Sequence, residues 1–450
     1  MSSAQQRIRG RSMRKRVAIG VLAAVIGSPA LVACGSDSGI TINVYYGPEE
    51  NFQSVVDNCN TQANGAYKIV YNKLPRDADG QRQQMVRRLA ASDDALDILG
   101  LDVTWVPEFA KAGWLKPWTG ANEQAAKEDV LEGPLATATY DNKLYAATKN
   151  TNVQLLWYDD RVTPQPPATF DDMIKQAQDL KAKGSKRYQI LFTGAQYEGL
   201  VVFYNTLTAS SNGHILSDDG TKVVMDQGAV SALGLLKRIA TSGVTSPALT
   251  SAQEQQVQLG FQNADGQGAF ELNWPFVYAS MQSAAKDDPS MKASLEHMKW
   301  ARYPSAVPGT PSKVTIGGFN LAVSAYSKHP EESFKAALCL RSKDSQKFSA
   351  IKDGVPPTLR SLYTDDAPLD PSKPANADDN PSMATAYPMK ADILSAVEDS
   401  AVRPLSPIYQ NASTVTSKLL SPPGDIDPTS TANDLREQLQ LALDSKGVLP

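Results

Sequence analysis

The chain has 450 residues, 42% of them hydrophobic and 20% charged, and carries a formal net charge of −4. Such a composition is ordinary for a soluble globular protein, and the length leaves room for two or three domains. An acidic balance argues against nucleic acid or an anionic membrane surface as the partner.

Arg7, Arg9, Arg11, Arg14, Lys15 and Arg16 open the chain, and Val17–Ala30 follows as a mostly apolar stretch broken by Gly20, Gly27, Ser28 and Pro29. A basic start, a short apolar run and small residues before a cut describe a secretory signal over residues 1–33. The run falls short of the roughly 20 apolar residues of a membrane span. Leu31-Val-Ala-Cys34 is similar to a bacterial lipobox, in which the cysteine is acylated, for instance with palmitate, and becomes the mature N-terminus. The alternative for Cys34 is a lone buried thiol. Gly35-Ser-Asp-Ser-Gly39 reads as part of a flexible tether over residues 34–39, lifting a folded body off the outer face of the plasma membrane. Losing six bases and no acids with residues 1–33 takes the net charge to −10.

Ile40–Tyr46 is rich in β-branched and aromatic residues and reads as a strand ended by Gly47-Pro48. Glu49–Asn64 reads as a helix with Phe52, Val55, Val56 and Cys59 on one face. Tyr67–Leu74 is a second strand, Asp79–Ala91 a second helix, and Leu96–Leu101 a short apolar run suited to a strand of a parallel sheet buried on both faces. This βαβαβ start predicts an α/β domain. Helices over Asp171–Lys183, Gly199–Thr208, Asp226–Ser242 and Phe276–Ala285, with a strand at Gln189–Phe192, predict a second, helix-rich α/β domain. Val314–Ala325 (a strand) and Pro330–Arg341 (a helix) read as returns to the first domain. The chain then crosses more than once, and residues near Asn150–Asp159 and Gly354–Pro357 would act as a hinge. Ala367–Ser382 reads as a surface loop.

Catalytic signatures are scarce. His214, His297 and His329 have no metal-type spacing, and no nucleophile elbow, phosphate-cradling loop or His-Glu-x-x-His is present. Asp93-Asp94 and Glu49-Glu50 are adjacent acids, usually a solvated surface. The expectation is a binding protein without metal or cofactor. Outside the cytoplasm Cys59 and Cys339 would commonly pair; two separate buried thiols are the alternative.

Several stretches carry a resemblance. Leu96-Asp-Ile-Leu-Gly-Leu-Asp102-Val-Thr-Trp105 with Glu108–Leu115, Asn152-Val-Gln-Leu-Leu-Trp-Tyr158, Phe270-Glu-Leu-Asn-Trp274-Pro-Phe and Thr315-Ile-Gly-Gly-Phe-Asn-Leu321 resemble the sugar-binding receptors of ABC importers, in that order over nearly the whole mature chain. Ala401-Val-Arg403-Pro, the two cysteines and the terminal Gly447-Val-Leu-Pro450 are similar to the trehalose-binding lipoproteins of mycobacteria within that group. The resemblance implies a periplasmic-binding-protein fold, two α/β lobes with a multi-segment hinge and a ligand cleft between them. Residues 40–151 with about 314–356 would form the first lobe, and 152–313 with about 357–450 the second. It also implies a monomer that takes trehalose or a related disaccharide and delivers it to a permease heterodimer driven by an ATPase. Another oligosaccharide or a sugar phosphodiester is the alternative ligand, and a glycoside-processing lipoprotein enzyme using a pair of carboxylates is the remaining alternative.

A disaccharide needs acceptors, donors and an apolar plate. Asp102 ends a buried strand, at the carboxyl edge where open α/β sheets bind ligands, and its carboxylate would accept from two hydroxyls; its structural alternative is an N-cap. Asn152 both donates and accepts. Glu254 matches a second acceptor, or else lies on a solvated helix face. Trp274 would lay its ring on the sugar, with Pro275 beside it implying an exposed turn. Gly318 and Phe319 would offer backbone groups, although Phe319 replaces a smaller aliphatic residue. Arg403 would donate a fork of bonds, or else sit in a surface ion pair. Glu50 after the first strand, and Gln196, Tyr197 and Glu198 before Gly199, are further candidates.

Overall fold

The computed structural model describes residues 39–185, 189–217, 219–262, 268–376 and 380–446. The signal, Cys34, residues 35–38 of the tether and Gly447–Pro450 lie outside the described residues.

Eleven strands are present among them: β1 (Thr41–Tyr46), β2 (Lys68–Lys73), β3 (Ile98–Asp102), β4 (Thr139–Tyr140), β5 (Lys143–Leu144), β6 (Ala146–Asn152), β7 (Leu155–Asp159), β8 (Ile190–Leu191), β9 (Phe270–Asn273), β10 (Met298–Ala301) and β11 (Gly317–Val323). Five form one sheet in the order β2-β1-β3-β11-β6, and four form a second in the order β10-β7-β9-β8. β1 runs parallel to β2 and β3, as the βαβαβ pattern predicts. The sheet as a whole is mixed rather than parallel, because β11 runs antiparallel to both β3 and β6. The reason is its point of entry: β3 and β6 run toward the junction with the second sheet, whereas β11 begins there and runs away.

Each sheet has its own core. The first gathers Ile42, Val44, Phe52, Val56, Ile98, Leu101, Trp118 and Leu340. The second gathers Leu155, Trp157, Phe170, Phe203, Leu236, Phe270, Leu272 and Leu435. Burying apolar surface in this way is worth about 25 cal/mol per Å² and is the main force holding each half together. Leu131, Ile316, Ala350 and Ile351, inside the ranges expected for the first lobe, pack in the second core. Phe348, on the same helix (Lys343–Asp353) as Ala350 and Ile351, packs against the first core, so this helix lies along the crossing.

The local signals are physical ones. Helix Phe52–Ala63 buries Phe52, Val55, Val56 and Cys59, the face its periodicity predicts, and ends at Asn64 in the left-handed region (φ 47°). Helix Phe170–Ala182 starts at a reciprocal capping box between Thr169 and Asp172. Helix Pro330–Leu340 carries Cys339, which is bonded to Cys59 with their Cα atoms 5.9 Å apart. Among the described residues no helix is long and apolar enough to cross a membrane.

Candidate functional site

The carboxyl ends of strands from both sheets converge on the junction between the two cores. β3 ends at Asp102 and β6 at Asn152; on β11, Phe319 lies opposite Asp102 and Gly317 opposite Asn152. Gly318 stands between them with φ +126°, and a Cβ there would lie 2.2 Å from the Asn150 carbonyl oxygen, so glycine is needed for this approach. Its own carbonyl accepts from the Val103 N–H at 3.2 Å. The Phe319 ring is half-buried and edge-on to Tyr46, centroids 5.2 Å apart.

Asp102 is not an N-cap. Its Oδ1 accepts from the Thr104 N–H at 3.0 Å and the Thr104 hydroxyl at 2.8 Å, while the next helix starts later, at Val106. The same oxygen accepts from Arg403 Nη2 at 3.2 Å. Arg403 is not at the surface: it is 3% exposed, and its Nη1 donates to Glu198 Oε1 at 2.5 Å. Glu198 is the first residue of helix Glu198–Ser210, where a negative charge suits the helix dipole. It also accepts from the Tyr409 hydroxyl at 2.6 Å and from the Ser413 hydroxyl. Burial raises the Glu198 pKa, with Arg403 and the two hydroxyls pulling against it. Burial alone would lower the Arg403 pKa, but the charges of Asp102, Tyr409 and Glu198 push it further up, so it stays a cation. Arg403 thus ties the end of a first-sheet strand to the head of a second-core helix.

A second group faces this one. Trp274 Nε1 lies 3.9 Å from where a Cβ would stand on Gly317, which places the indole beside Asn152. Trp274 is half-buried, but Pro275 is buried rather than part of an exposed turn. It is the N-cap residue of helix Phe276–Ala284, and Gly354 packs so closely that a Cβ there would lie 2.9 Å from the Pro275 carbonyl oxygen. Glu254 begins helix Glu254–Gln262, is partly buried, and has its pKa raised by that burial. Burial and then the Glu254 charge push the Tyr197 phenol well above its usual value.

Asp102, Gly318, Phe319 and Arg403 therefore sit together, as do Asn152 with Trp274 and Glu254 with Tyr197. Glu50 stands apart and is exposed. Its neighbour Glu49 takes the buried place instead, paired with Lys149 and accepting from the Ser349 hydroxyl at 2.7 Å. Lys149 is the extra residue of a bulge where β6 pairs with β11, which turns it inward. Tyr409, Ser413 and Asn273 also belong to the site region. Asn273 had one available signal, a polar residue alternating with Glu271 along an otherwise apolar strand. Nothing local marks Tyr409 or Ser413. Among the described residues, no group of His, Cys, Asp and Glu stands where it could hold a metal ion.

Two polar side-chain atoms of this region, Asn152 Oδ1 and Arg403 Nε, are buried without a hydrogen-bond partner, and the Tyr197 hydroxyl lies against the Glu254 carboxylate. A buried unsatisfied donor or acceptor costs about 1–3 kcal/mol, a cost that a partner reaching these atoms would remove.

Known proteins resemble this chain along most of its length. A Deinococcus radiodurans protein described as a "Probable ABC transporter-binding protein" is 26% identical over 304 residues, 65% of this chain and 69% of that protein. A binding protein of Brucella abortus is 25% identical over 61% of this chain, and the match spans 65% of that protein, just under two thirds. Maltose-bound MalE3 of T. maritima superposes with a TM-score of 0.76 at 23% identity, covering 89% of this chain and 99% of that one. The GacH receptor of Streptomyces glaucescens, described with acarbose, superposes with a TM-score of 0.72 at 17% identity, covering 90% and 99%. These likenesses establish the bilobed α/β binding-protein fold. The family model for bacterial extracellular solute-binding proteins matches residues 47–347, more than half of the sequence. The chain accordingly belongs to the bacterial extracellular solute-binding protein family, exported binding proteins rather than enzymes.

Proposed function

We propose that this protein captures a neutral disaccharide, trehalose foremost, by closing two lobes on it, and hands it to the permease heterodimer and ATPase of an ABC importer. The observation that carries this reading is the pair of buried atoms without a partner, Asn152 Oδ1 and Arg403 Nε, with the Tyr197 hydroxyl beside Glu254. Together they offer an acceptor, a donor and a hydroxyl that can be either, which is what a polyhydroxyl ligand requires. Asp102 and Glu254 add carboxylate acceptors, and Trp274 an apolar plate. The charge balance favours a neutral ligand over a sugar phosphodiester, because Arg403 already faces Asp102 and Glu198 and Glu254 adds a further acid. That structural relatives are described with maltose and acarbose supports the sugar class.

Residues 40–151 with about 314–356 would move as one lobe and 152–313 with about 357–450 as the other. A ligand gripping groups of both shifts the open–closed equilibrium by its differential affinity. Cys34, acylated after removal of residues 1–33, would tether the receptor to the outer face of the membrane and raise its local concentration beside the permease. It would act as a monomer.

The test is a thermal-shift screen, then calorimetric titration, on protein lacking residues 1–34. Trehalose should bind one to one and raise the apparent stability, since a ligand at 100 times its Kd adds about 2.7 kcal/mol. Asp102→Ala should lose at least tenfold in affinity while keeping its circular dichroism. No shift with any sugar would sink the reading, and a stronger response to maltose or glycerophosphodiester would move it to that ligand.

A further inference from the structure

Three residues before Trp274 lies a carboxyl group that the sugar-capture reading does not use. Glu271, in the middle of β9, is 0% exposed. Its Oε1 accepts from Asn273 Nδ2 at 2.7 Å, and its Oε2 has no partner. Asn273 is a hub. Its Nδ2 also donates to the carbonyl of Glu254 at 3.2 Å, and its Oδ1 accepts from the Trp274 N–H at 2.9 Å. Its backbone carbonyl accepts from the Trp157 indole at 3.0 Å. An amide can be turned either way about its last torsion, and only the correct way puts its NH₂ toward Glu254 and its oxygen toward Trp274. The Glu254 carbonyl and the Trp274 N–H both favour that way, and the acceptor on Glu271 reinforces it.

We propose that Glu271 is a positioning residue of the ligand site: by orienting Asn273 it fixes the first residue of the Glu254 helix and the turn that presents Trp274. The inference rests on the sugar-capture reading for its functional meaning, but its geometry does not. Glu271 lies opposite Trp157 on β7 and Leu191 on β8. The titratable groups near it are Tyr303, whose hydroxyl donates to Gln154 at 2.8 Å, and Glu254, reached through Asn273. No cation figures among the influences on Glu271, and burial holds its carboxyl up at about 8, with only Asn273 pulling it down. It therefore serves near neutral pH as an uncharged anchor. Ionisation above that range places a charge in an apolar core, which favours conformations that let water reach it.

The experiment compares wild type, Glu271→Gln and Glu271→Met, reading both trehalose affinity and the fluorescence of unliganded protein between pH 6 and 9. A Trp274→Phe background isolates the Trp274 signal. Gln keeps an acceptor and never ionises, so Glu271→Gln should bind within about threefold of wild type at pH 6–7 and show no decline above pH 8, where wild type weakens. Met fills a similar volume without an acceptor, so Glu271→Met should lose tenfold or more in affinity and shift the Trp274 emission without ligand. Wild-type affinity and emission in Glu271→Met would overturn the proposal. Should that variant not fold, equal pH profiles of wild type and Glu271→Gln would overturn it. If wild type binds no sugar at all, the receptor reading fails, while the unliganded Trp274 emission still decides the role of Glu271.

Discussion

Replacing Arg403 with methionine isolates the ion cluster at the centre of the site. The guanidinium is 3% exposed and contacts two carboxylates, Asp102 at 3.2 Å and Glu198 at 2.5 Å. The two acids would respond differently to its loss. Asp102 keeps its two bonds from Thr104 and has a side chain 19% exposed, so water and Thr104 continue to solvate it. Glu198 keeps only the Tyr409 and Ser413 hydroxyls, in a place where burial already raises its pKa from the usual 4.5. Removing one member of a buried pair typically costs about 3–5 kcal/mol, because the survivor is left charged without compensation. Here the survivor has an escape, since it can take up a proton. Holding a proton at pH 7 on a group whose ordinary value is 4.5 costs at most about 3.4 kcal/mol, and at pH 5 only about 0.7.

The sign follows from linkage. In the variant, folded Glu198 keeps its proton at pH values where the unfolded chain has lost it, so stability falls as pH rises above 4.5. Arg403→Met should therefore be destabilised by about 3 kcal/mol at pH 7 and clearly less at pH 5, on top of a pH-independent packing change. Urea denaturation followed by circular dichroism at both pH values measures this. Adding Glu198→Gln should remove the pH-dependent part, giving a coupling energy of about 2 kcal/mol or more in a double-mutant cycle. A penalty for Arg403→Met that is the same at pH 5 and pH 7, or untouched by Glu198→Gln, would refute the reasoning.

Two further outcomes follow from buried chemistry elsewhere. Glu271 holds its proton in the folded chain to about pH 8, against an ordinary 4.5, so wild-type stability should decline across that window by about 5 kcal/mol in all. Glu271→Gln should gain on wild type as pH climbs from 5 to 8 in scanning calorimetry; parallel curves would count against the assignment. The Cys59–Cys339 bond closes a loop with a sequence separation of 280. Cys59→Ser/Cys339→Ser should lower stability by about 2–5 kcal/mol, read as a reduced urea midpoint, with trehalose affinity at saturation of folding unchanged.

Much of this architecture can be read from local signals, because the elements that build it are locally encoded. An apolar run ending in an acid points to Asp102 at a strand's carboxyl edge, and the helix faces of Phe52–Ala63 and Pro330–Leu340 follow from spacing. What sequence does not reveal is who meets whom. Glu198 and Arg403 are 205 positions apart, and Asn51 and Asp353, bonded at 2.6 Å, are 302 apart. Adjacent acids are indistinguishable on paper, yet Glu49 is buried against Lys149 while Glu50 is exposed. The choice depends on a bulge in β6 that no local propensity encodes. The direction of β11 has the same origin, since it depends on the chain returning from a second core and not on the strand's own residues.

The two halves of the Arg403 cluster differ in a way that suits capture followed by release. The Arg403–Glu198 bond lies within the second core's surroundings, supported by Tyr409 and Ser413. If the lobes move as proposed, Arg403 would therefore travel with that core. The Arg403–Asp102 contact reaches across to the first sheet through one oxygen at 3.2 Å, with Asp102 partly solvated. When this contact breaks, Asp102 keeps Thr104 and water and Arg403 keeps Glu198, so the contact itself is worth about 1 kcal/mol, the upper end for exposed pairs. It can bias an unliganded protein toward closure by about fivefold at most, far short of the roughly 10⁴-fold preference that carries an equilibrium from one extreme to the other. On the proposed receptor reading the ligand would supply the rest, leaving closure to the sugar and opening to the transporter. Asp102→Asn tests this division directly. Small-angle scattering of the unliganded variant should show a radius of gyration little different from wild type. A large opening on that one substitution would mean that the ion pair, and not the ligand, holds the lobes together.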